Sequence, residues 1–216
     1  MTRFKKNSKE KPAANVARHT LETMKNSFFA YLSRIKYINR WALMRNTTYE
    51  TLSQHSYEVA VLAHALAVIG NRRLGKNYDA SRAALLGLYH DAPESITGDM
   101  PTPVKYFSGD MRSAFAEVEK SAGARLLAML PEDLRAEYDP LLVAEEDDAP
   151  LWALVKAADK LSAYIKCIEE RKAGNTEFRE AEKSTKKLLQ GLACPEAEIF
   201  LADFLPAYEL PLDKLR

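Results

Sequence analysis

The stretch ASRAALLGLYHDAPE, residues 80–94, combines a helical pattern with a pair of polar side chains at its end. An apolar helix is expected to run through Ala83, Leu86 and Leu88. We expect this helix, the third in the chain, to begin after Asp79 and to end at His90, because Pro93 disfavours helical geometry at the residue before it. The imidazole of His90 and the carboxylate of Asp91 can then reach one divalent cation. For the dipeptide alone, the alternative is a histidine that caps a helix end.

Helical spacing of apolar residues continues through most of the chain. The first helix is marked by Phe28, Leu32, Ile35 and Ile38, and the second, which begins near Ser53, by Val59, Leu62, Leu66 and Ile69. Further helices are expected over about 110–130, 150–173, 175–190 and 195–205, with a turn-rich loop over 97–103 and an acidic turn over 145–148. No segment shows the alternation of a strand, and no internal repeat is present. We therefore predict one all-α domain over residues 23–216, a non-symmetric helix bundle.

Composition narrows the class of protein. The chain has 216 residues, of which 47% are hydrophobic, and a formal net charge of +1. This length can bury one large core, and the near-neutral charge argues against broad binding of nucleic acid polymers or anionic membranes. No apolar stretch approaches the ~20 residues of a membrane span, and no apolar segment follows the basic residues of the N-terminus. The expectation is a cytoplasmic protein.

Two smaller features fit this picture. Residues 1–22 are polar and basic without apolar periodicity, so we expect a disordered basic arm; a weak nucleic-acid-binding arm is the alternative. Cys167 and Cys194 lack CxxC spacing, and we expect structural thiols rather than a disulfide.

Asp159 is the most informative polar residue of the helix expected over 150–173. Val155 lies four residues before it and Ser162 three after it, so its side chain belongs to the buried stripe. A buried carboxylate needs a cation or a strong hydrogen-bond donor, and an ion pair with a nearby Lys or Arg is the alternative to a metal ion.

Histidines are scarce, which shortens the list of metal ligands. His55 falls in the first turn of the second helix, where it can face the interior; a capping histidine is the alternative. His64 cannot share a helix face with His55 and receives no function. Together, His55, His90, Asp91 and Asp159 offer two nitrogen and two oxygen ligands. This donor set suits a first-row ion such as Mn, Co, Fe, Ni or Zn better than Ca.

The set His55…His90-Asp91…Asp159 resembles the H…HD…D ligand set of the HD-domain phosphohydrolases. Almost the whole chain after residue 25 resembles, more narrowly, the bacterial HD-domain 5′-deoxynucleotidases of the YfbR type. The matching segments are LSRIK (32–36), INRW (38–41), SQHS (53–56), HDAPE (90–94), TGDMPTPVKYF (97–107), KAAD (156–159) and AYIKC (163–167). The ligand set alone identifies only the superfamily, whereas INRW and TGDMPTP are much more specific.

The resemblance implies a metal-dependent enzyme that hydrolyses deoxyribonucleoside 5′-monophosphates to deoxyribonucleoside and phosphate. The four ligands would hold one divalent ion (Co, Mn or another first-row transition metal), and His55, Asp91 and Asp159 would also lie at the substrate. Arg40 matches the arginine that orients the phosphate, although a surface arginine at a helix end is the alternative. The family also forms homodimers.

The resemblance further implies how the sugar is recognised. Trp41 matches the tryptophan beside the 2′ position, where a large ring leaves no room for a ribose hydroxyl; ordinary core packing is the alternative. Glu94 matches an acidic residue beside the metal, with a general acid/base or water-positioning role. The nucleotide-binding loop is matched by Asp99, Met100, Pro101 and Thr102, and Lys105 is expected to be solvated rather than to bind phosphate.

Two other functions are compatible with the sequence. The first is another HD-domain phosphohydrolase, a deoxynucleoside triphosphate triphosphohydrolase or a cyclic-nucleotide phosphodiesterase. The second is a helical protein that binds nucleotides without turnover. The intact ligand set argues against the second.

Overall fold

The computed structural model describes residues 26–105, 107–143 and 146–215, and this part of the chain is helical. Its α-helices are α1 (Phe28–Leu32), α2 (Leu52–Arg73), α3 (Ala80–Tyr89), α4 (Glu94–Thr97), α5 (Thr102–Lys105), α6 (Gly109–Ala128), α7 (Glu132–Leu142), α8 (Ala149–Lys172), α9 (Arg179–Gln190) and α10 (Pro195–Asp203). Short 3-10 helices cover Ser33–Tyr37, Leu205–Glu209 and Leu212–Lys214. The all-α prediction is confirmed, and the arm predicted over 1–22 lies outside the described residues.

Three helices form the centre of the bundle. Helix α2 packs along both α3 and α8, and α9 also packs against α8. Their shared core includes Leu62, Leu66, Leu86, Leu161 and Ile165. Gly87 permits the close crossing of α3 over α2, because a Cβ atom there would lie 2.9 Å from the Cα atom of Ala60.

A smaller apolar cluster joins α1, the end of α6 and the chain just after α3. Its buried residues are Phe28, Ala92, Leu126, Met129 and Leu130. Because Ala92 follows the His90-Asp91 pair directly, this cluster fixes the chain just beyond the end of α3.

The start of α2 differs from the prediction by two residues. Thr51, not Ser53, is the N-cap: its side chain accepts from the backbone N–H of Gln54, whose side chain accepts from the N–H of Thr51. The reason is tertiary, because Asn39 and Thr51 form an isolated antiparallel bridge and the N–H of Leu52 donates to the carbonyl of Ile38 at 2.8 Å. The helix can begin only where the chain leaves this bridge.

Other sequence predictions need correction. The first helix is α-helical only over Phe28–Leu32, because the following residues tighten into a 3-10 turn and Ile38 is extended by the bridge. Helix α7 was not predicted, since it contains Pro140 and buries only Leu141. The loop over 97–103 includes the end of α4 and the start of α5. Leu88, one of the apolar residues that mark the third helix, is 44% exposed.

Two further findings concern the cysteines and the helix lengths. Cys167 and Cys194 are both free thiols. None of the helices in the described ranges combines the length and apolarity needed to cross a bilayer.

The loop over residues 41–49 is fastened to α8 by one buried ion pair. The Lys166 ammonium lies 2.5 Å from the Glu170 carboxylate and 2.5 Å from the carbonyl oxygen of Thr48. Glu170, which is 1% exposed, also accepts from the backbone N–H and hydroxyl of Thr47 and from the Asn175 amide. Burial alone would raise the pKa of Glu170, but these donors outweigh it and lower the pKa to about 2.

We expect Glu170→Gln to lower the free energy of unfolding by about 3 kcal/mol at neutral pH, because it leaves the Lys166 ammonium buried without its counter-charge. The Glu170 pKa is depressed below its ordinary value of 4.5. The ionised carboxylate therefore stabilises the fold fully above pH 4.5, and this stabilisation is lost as pH falls toward 2. Denaturant unfolding at pH 7 and pH 3 should therefore show a smaller difference between the two proteins at pH 3.

The matched control is Glu180→Gln, which breaks the surface pair of Glu180 with Lys183. Because both side chains are largely exposed, we expect almost no change in the free energy of unfolding. Equal effects of the two substitutions would contradict the role assigned to Glu170.

Candidate active site

Four predicted ligands meet where α2, α3 and α8 converge. His55 lies in the first turn of α2, His90 caps the end of α3, Asp91 follows it, and Asp159 lies in the middle of α8. Nε2 of His55 lies 3.2 Å from Oδ1 of Asp159 and 3.5 Å from Oδ2 of Asp91. Nε2 of His90 lies 3.0 Å from the same Oδ2 atom. Residues far apart in the sequence thus converge on one small volume.

These side chains fit a metal ion. The Nε2 atoms of His55 and His90 are buried and have no hydrogen-bond partner among the described residues. One ligand atom from each of His55, His90 and Asp91 lies within 4.8 Å of the other two. A buried imidazole nitrogen without a partner is costly, and a cation that accepts both lone pairs removes that cost. Asp159 adjoins this group of three through its contact with His55.

The hydrogen bond made by Nδ1 of each histidine determines the tautomer of its ring. Nδ1 of His90 lies 2.7 Å from the carbonyl oxygen of Gly87, to which it can only donate. Nδ1 of His55 lies 3.0 Å from Oγ of Ser162, and that hydroxyl donates to Oε2 of Glu58 at 2.6 Å. Because the hydroxyl proton is used by Glu58, Nδ1 of His55 must be the donor. Both Nε2 atoms therefore present lone pairs to the site.

Ionisation states of the ligands match this donor set. Burial and the charge of Arg40 lower the pKa of His55, which favours the neutral imidazole. Burial would raise the pKa of Asp91, but His90 outweighs it and holds that pKa below its ordinary value. The pKa of Asp159 lies well below its ordinary value, because the adjacent His55 ring and the Lys160 ammonium outweigh burial. Both carboxylates are ionised at neutral pH, as metal binding requires.

His90 behaves differently from His55. Burial would lower the pKa of His90, but the carboxylate of Asp91 outweighs it, and the pKa is raised. A proton on Nε2 and a metal ion would compete for the same lone pair.

Asp159 forms the ion pair of one interpretation and faces the ligands of the other. Its Oδ2 atom accepts from the Lys160 ammonium at 2.8 Å, as the ion-pair alternative predicted. Its Oδ1 atom faces His55 and lies 3.9 Å from Nη2 of Arg40. The carboxylate thus has one oxygen for the lysine and one for the site.

Arg40 and Trp41 share a carboxylate that sequence reasoning missed. Oε2 of Glu50 accepts from Nη1 of Arg40 at 3.0 Å and from Nε1 of Trp41 at 2.8 Å. Burial would lower the pKa of Arg40, but Glu50 and Asp159 outweigh it and keep the guanidinium charged. The only sequence signal for Glu50 is an acidic residue beside the N-cap of α2, which is too common to identify it.

Glu94 is a buried acid beside this group. It is the first residue of α4, and its Oε2 atom has no hydrogen-bond partner in the part of the chain that the structure describes. Burial, together with the charges of Asp91 and Asp99, raises the pKa of Glu94 to about 9. A cavity of about 250 Å³ reaches Glu94, His90 and Asp91 from the side of Trp152. Glu94 therefore carries a proton near neutral pH and adjoins space for water.

The remaining predicted residues lie on the rim of the site or outside it. Asp99, Met100 and Pro101 form the turn between α4 and α5, and Thr102 begins α5. Burial raises the pKa of Asp99, while the Arg40 charge opposes this. Lys105 donates to Glu119 at 2.8 Å. Glu119 also lines the 250 Å³ cavity. The exposed histidine of α2, His64, receives no role.

A family model described as 5′-deoxynucleotidase YfbR-like matches residues 27–208. A 5′-deoxynucleotidase of Erwinia tasmaniensis is 46% identical over 188 residues, which cover 87% of this chain and 95% of the relative. A 5′-deoxynucleotidase of Cronobacter sakazakii is 48% identical over 188 residues, covering 87% of this chain and 94% of the relative. Sequence similarity thus extends over nearly the whole described part of the chain.

Solved structures with this fold are more distant in sequence. An HD-domain phosphohydrolase from Listeria innocua superposes with a TM-score of 0.74 at 23% identity, over 84% of this chain and 88% of the other. A cyanophage S-2L HD phosphohydrolase, solved with dA and one catalytic Zn²⁺ ion, superposes with a TM-score of 0.57 at 17% identity, over 83% and 95% of the two chains. At these identities the likeness shows a shared fold.

We expect Ser162→Ala to weaken binding of a divalent ion about tenfold, because His55 would lose the acceptor that orients its ring. Titration of the metal-free protein with Co²⁺ or Zn²⁺, followed by calorimetry, measures this without an activity assay. Ser95→Ala is the matched control, since Ser95 is also buried and its hydroxyl has no hydrogen-bond partner among the described residues. Unchanged affinity in Ser162→Ala would show that the hydroxyl does not orient the ligand.

Proposed function

The chain belongs to the YfbR-like 5′-deoxynucleotidase family of HD-domain phosphohydrolases, and we propose how its residues divide the work of the reaction. It hydrolyses deoxyribonucleoside 5′-monophosphates to deoxyribonucleoside and phosphate. The observation that supports the location of the site is the pair of buried Nε2 atoms, from His55 and His90, that face the ionised carboxylates of Asp159 and Asp91.

We assign one divalent metal ion to His55, His90, Asp91 and Asp159. Two imidazoles and two carboxylates suit a first-row transition ion, Co, Mn or another of that series. When bound, such an ion polarises a phosphoryl oxygen and lowers the pKa of a coordinated water. The hydrogen bonds of the two Nδ1 atoms keep the ligand rings oriented for it.

Arg40 is the proposed phosphate-orienting residue. Its Nη1 atom is used by Glu50, while Nη2 points toward Asp159 and therefore toward the ligands. A charged guanidinium in this place can donate to phosphate oxygens and offset the charge that develops during phosphoryl transfer. Its burial makes this attraction stronger than it would be in water.

Glu94 is the proposed proton-handling group. Its carboxyl is protonated near neutral pH and its Oε2 atom has no protein partner within the described ranges, so it is available to substrate or water. The group can give a proton to the leaving 5′-oxygen or orient the attacking water.

Trp41 and the turn from Asp99 to Thr102 are the proposed sugar-recognition elements. The indole is held by Glu50 and packs on Phe178 with ring centroids 5.2 Å apart, so it forms a rigid surface beside Arg40. A rigid ring at the 2′ position would reject ribonucleotides by steric exclusion. Asp99 would accept a hydrogen bond from the 3′-hydroxyl. We also propose that the protein is a homodimer, which sedimentation analysis would test.

We expect phosphate release from dAMP with added Co²⁺ or Mn²⁺, at a rate at least tenfold above that from AMP, dATP or cyclic AMP. Asp159→Asn should lower kcat/KM for dAMP at least 100-fold, because it removes one anionic ligand and its contact with His55. Full activity of this variant would overturn the ligand assignment. Faster release from dATP or cyclic AMP would favour the other phosphohydrolase classes, and equal rates on dAMP and AMP would exclude the Trp41 role.

Glu94→Gln should lower kcat for dAMP about 100-fold or more while metal affinity changes little, because the amide keeps the shape but cannot transfer a proton. Steady-state rates at saturating metal, with a parallel metal titration, check both parts. A variant that keeps wild-type kcat would show that Glu94 handles no proton in the rate-limiting step.

A further inference from the structure

We propose that Glu50 is a positioning residue that couples Arg40 to Trp41, so that one carboxylate sets both the rate on deoxynucleotides and the discrimination against ribonucleotides. This inference rests on the roles proposed above for Arg40 and Trp41. It adds a residue that contacts neither phosphate nor sugar in the proposed scheme.

The hydrogen bonds of Glu50 converge on a single oxygen. Oε2 accepts from Nη1 of Arg40 at 3.0 Å and from Nε1 of Trp41 at 2.8 Å. The Glu50 and Arg40 side chains are only 11% and 13% exposed, so water offers little replacement for either bond. A shared acceptor means that displacement of the carboxylate releases both donors together.

The backbone fixes Glu50 opposite Arg40. The N–H of Arg40 donates to the carbonyl of Glu50 at 2.9 Å, next to the bridge between Asn39 and Thr51. Thr51 is the N-cap of α2, so the rigid start of that helix determines where Glu50 lies. The carboxylate is therefore placed by α2, which also bears the ligand His55.

Trp41 needs such support because its backbone is strained. Its φ of 59° lies in the left-handed region, which bulky residues rarely adopt. Its carbonyl accepts from the N–H of Met44 at 2.9 Å and from the Asn46 amide at 3.3 Å, and these bonds hold the turn. They do not fix the side-chain torsions of the indole, which are restrained by packing on Phe178 and by the bond from Nε1 to Glu50.

Arg40 depends on Glu50 for the direction of its guanidinium. The other nearby carboxylate, Asp159, lies 3.9 Å from Nη2 and is used by His55 and Lys160. Without Glu50, the charges of Asp159 and Asp91 would still attract the guanidinium, but no hydrogen bond would fix its direction relative to the phosphate. Oε1 of Glu50 lies 3.9 Å from Nδ1 of His55, beyond hydrogen-bonding distance, so Ser162 rather than Glu50 orients that ring.

The test is a double-mutant cycle of Glu50→Ala and Trp41→Phe, with kcat/KM measured for dAMP and AMP at saturating metal. Phe keeps a ring at position 41 but removes the Nε1–H donor. Each single variant should lower the dAMP:AMP ratio about tenfold, and the double variant should lower it no further, since both remove the same bond. The ratio is measured within one preparation, so a reduced folded fraction cancels.

Two more variants separate the effect of the Glu50 hydrogen bonds from that of its charge and from nonspecific effects of a substitution. Glu50→Gln keeps an acceptor oxygen but loses the charge, so we expect most of the ratio to be retained while kcat/KM for dAMP falls about tenfold. Glu58→Ala removes a carboxylate from the same helix region that bonds to Ser162 rather than to Arg40 or Trp41. Its dAMP:AMP ratio should equal that of the wild type.

The outcomes distinguish this inference from the function on which it rests. A wild type without preference for dAMP would overturn the Trp41 role and this inference with it. A selective wild type whose ratio survives Glu50→Ala, or singles whose effects multiply in the double variant, would overturn only the role of Glu50.

Discussion

Two buried imidazole nitrogens that lack hydrogen-bond partners within the described chain are the constraint around which this structure is arranged. His55 and His90 each use Nδ1 within the protein and leave Nε2 facing the carboxylates of Asp91 and Asp159. Such an arrangement is costly unless a cation completes it. The close crossing of α3 over α2 at Gly87 brings the two rings within 5.2 Å of each other. The packing that forms the core therefore also brings the two rings together.

Helix α8 joins the metal centre to the substrate side. Asp159, Ser162, Lys166 and Glu170 recur at intervals of three or four residues, so they occupy one face of the helix. Asp159 and Ser162 contact His55. Lys166 and Glu170 bind Thr48 and Thr47 in the loop that follows Trp41. A shift of α8 would thus move a proposed ligand and the proposed sugar contact together.

Most charged side chains in the site lie next to a side chain of opposite charge. The Arg40 guanidinium is compensated by Glu50 and lies near Asp159, while Asp159 is further compensated by Lys160. Glu94 lies among other acids and stays protonated, because burial and the charges of Asp91 and Asp99 oppose its ionisation. Acids of one chemical type therefore have different protonation states, and the difference arises from burial and neighbouring charge.

Local pattern determined much of this protein. Helical periodicity predicted α2, α3 and α8, and the positions of Val155 and Ser162 correctly placed Asp159 beside the buried stripe. Only the tertiary structure decided the rest: the N-cap at Thr51, the strained backbone of Trp41, and the sharing of Glu50 by Arg40 and Trp41. The reason is physical. Periodicity and ligand chemistry are properties of residues near in sequence, whereas a shared carboxylate or a bridge depends on where packed helices bring distant backbone segments together.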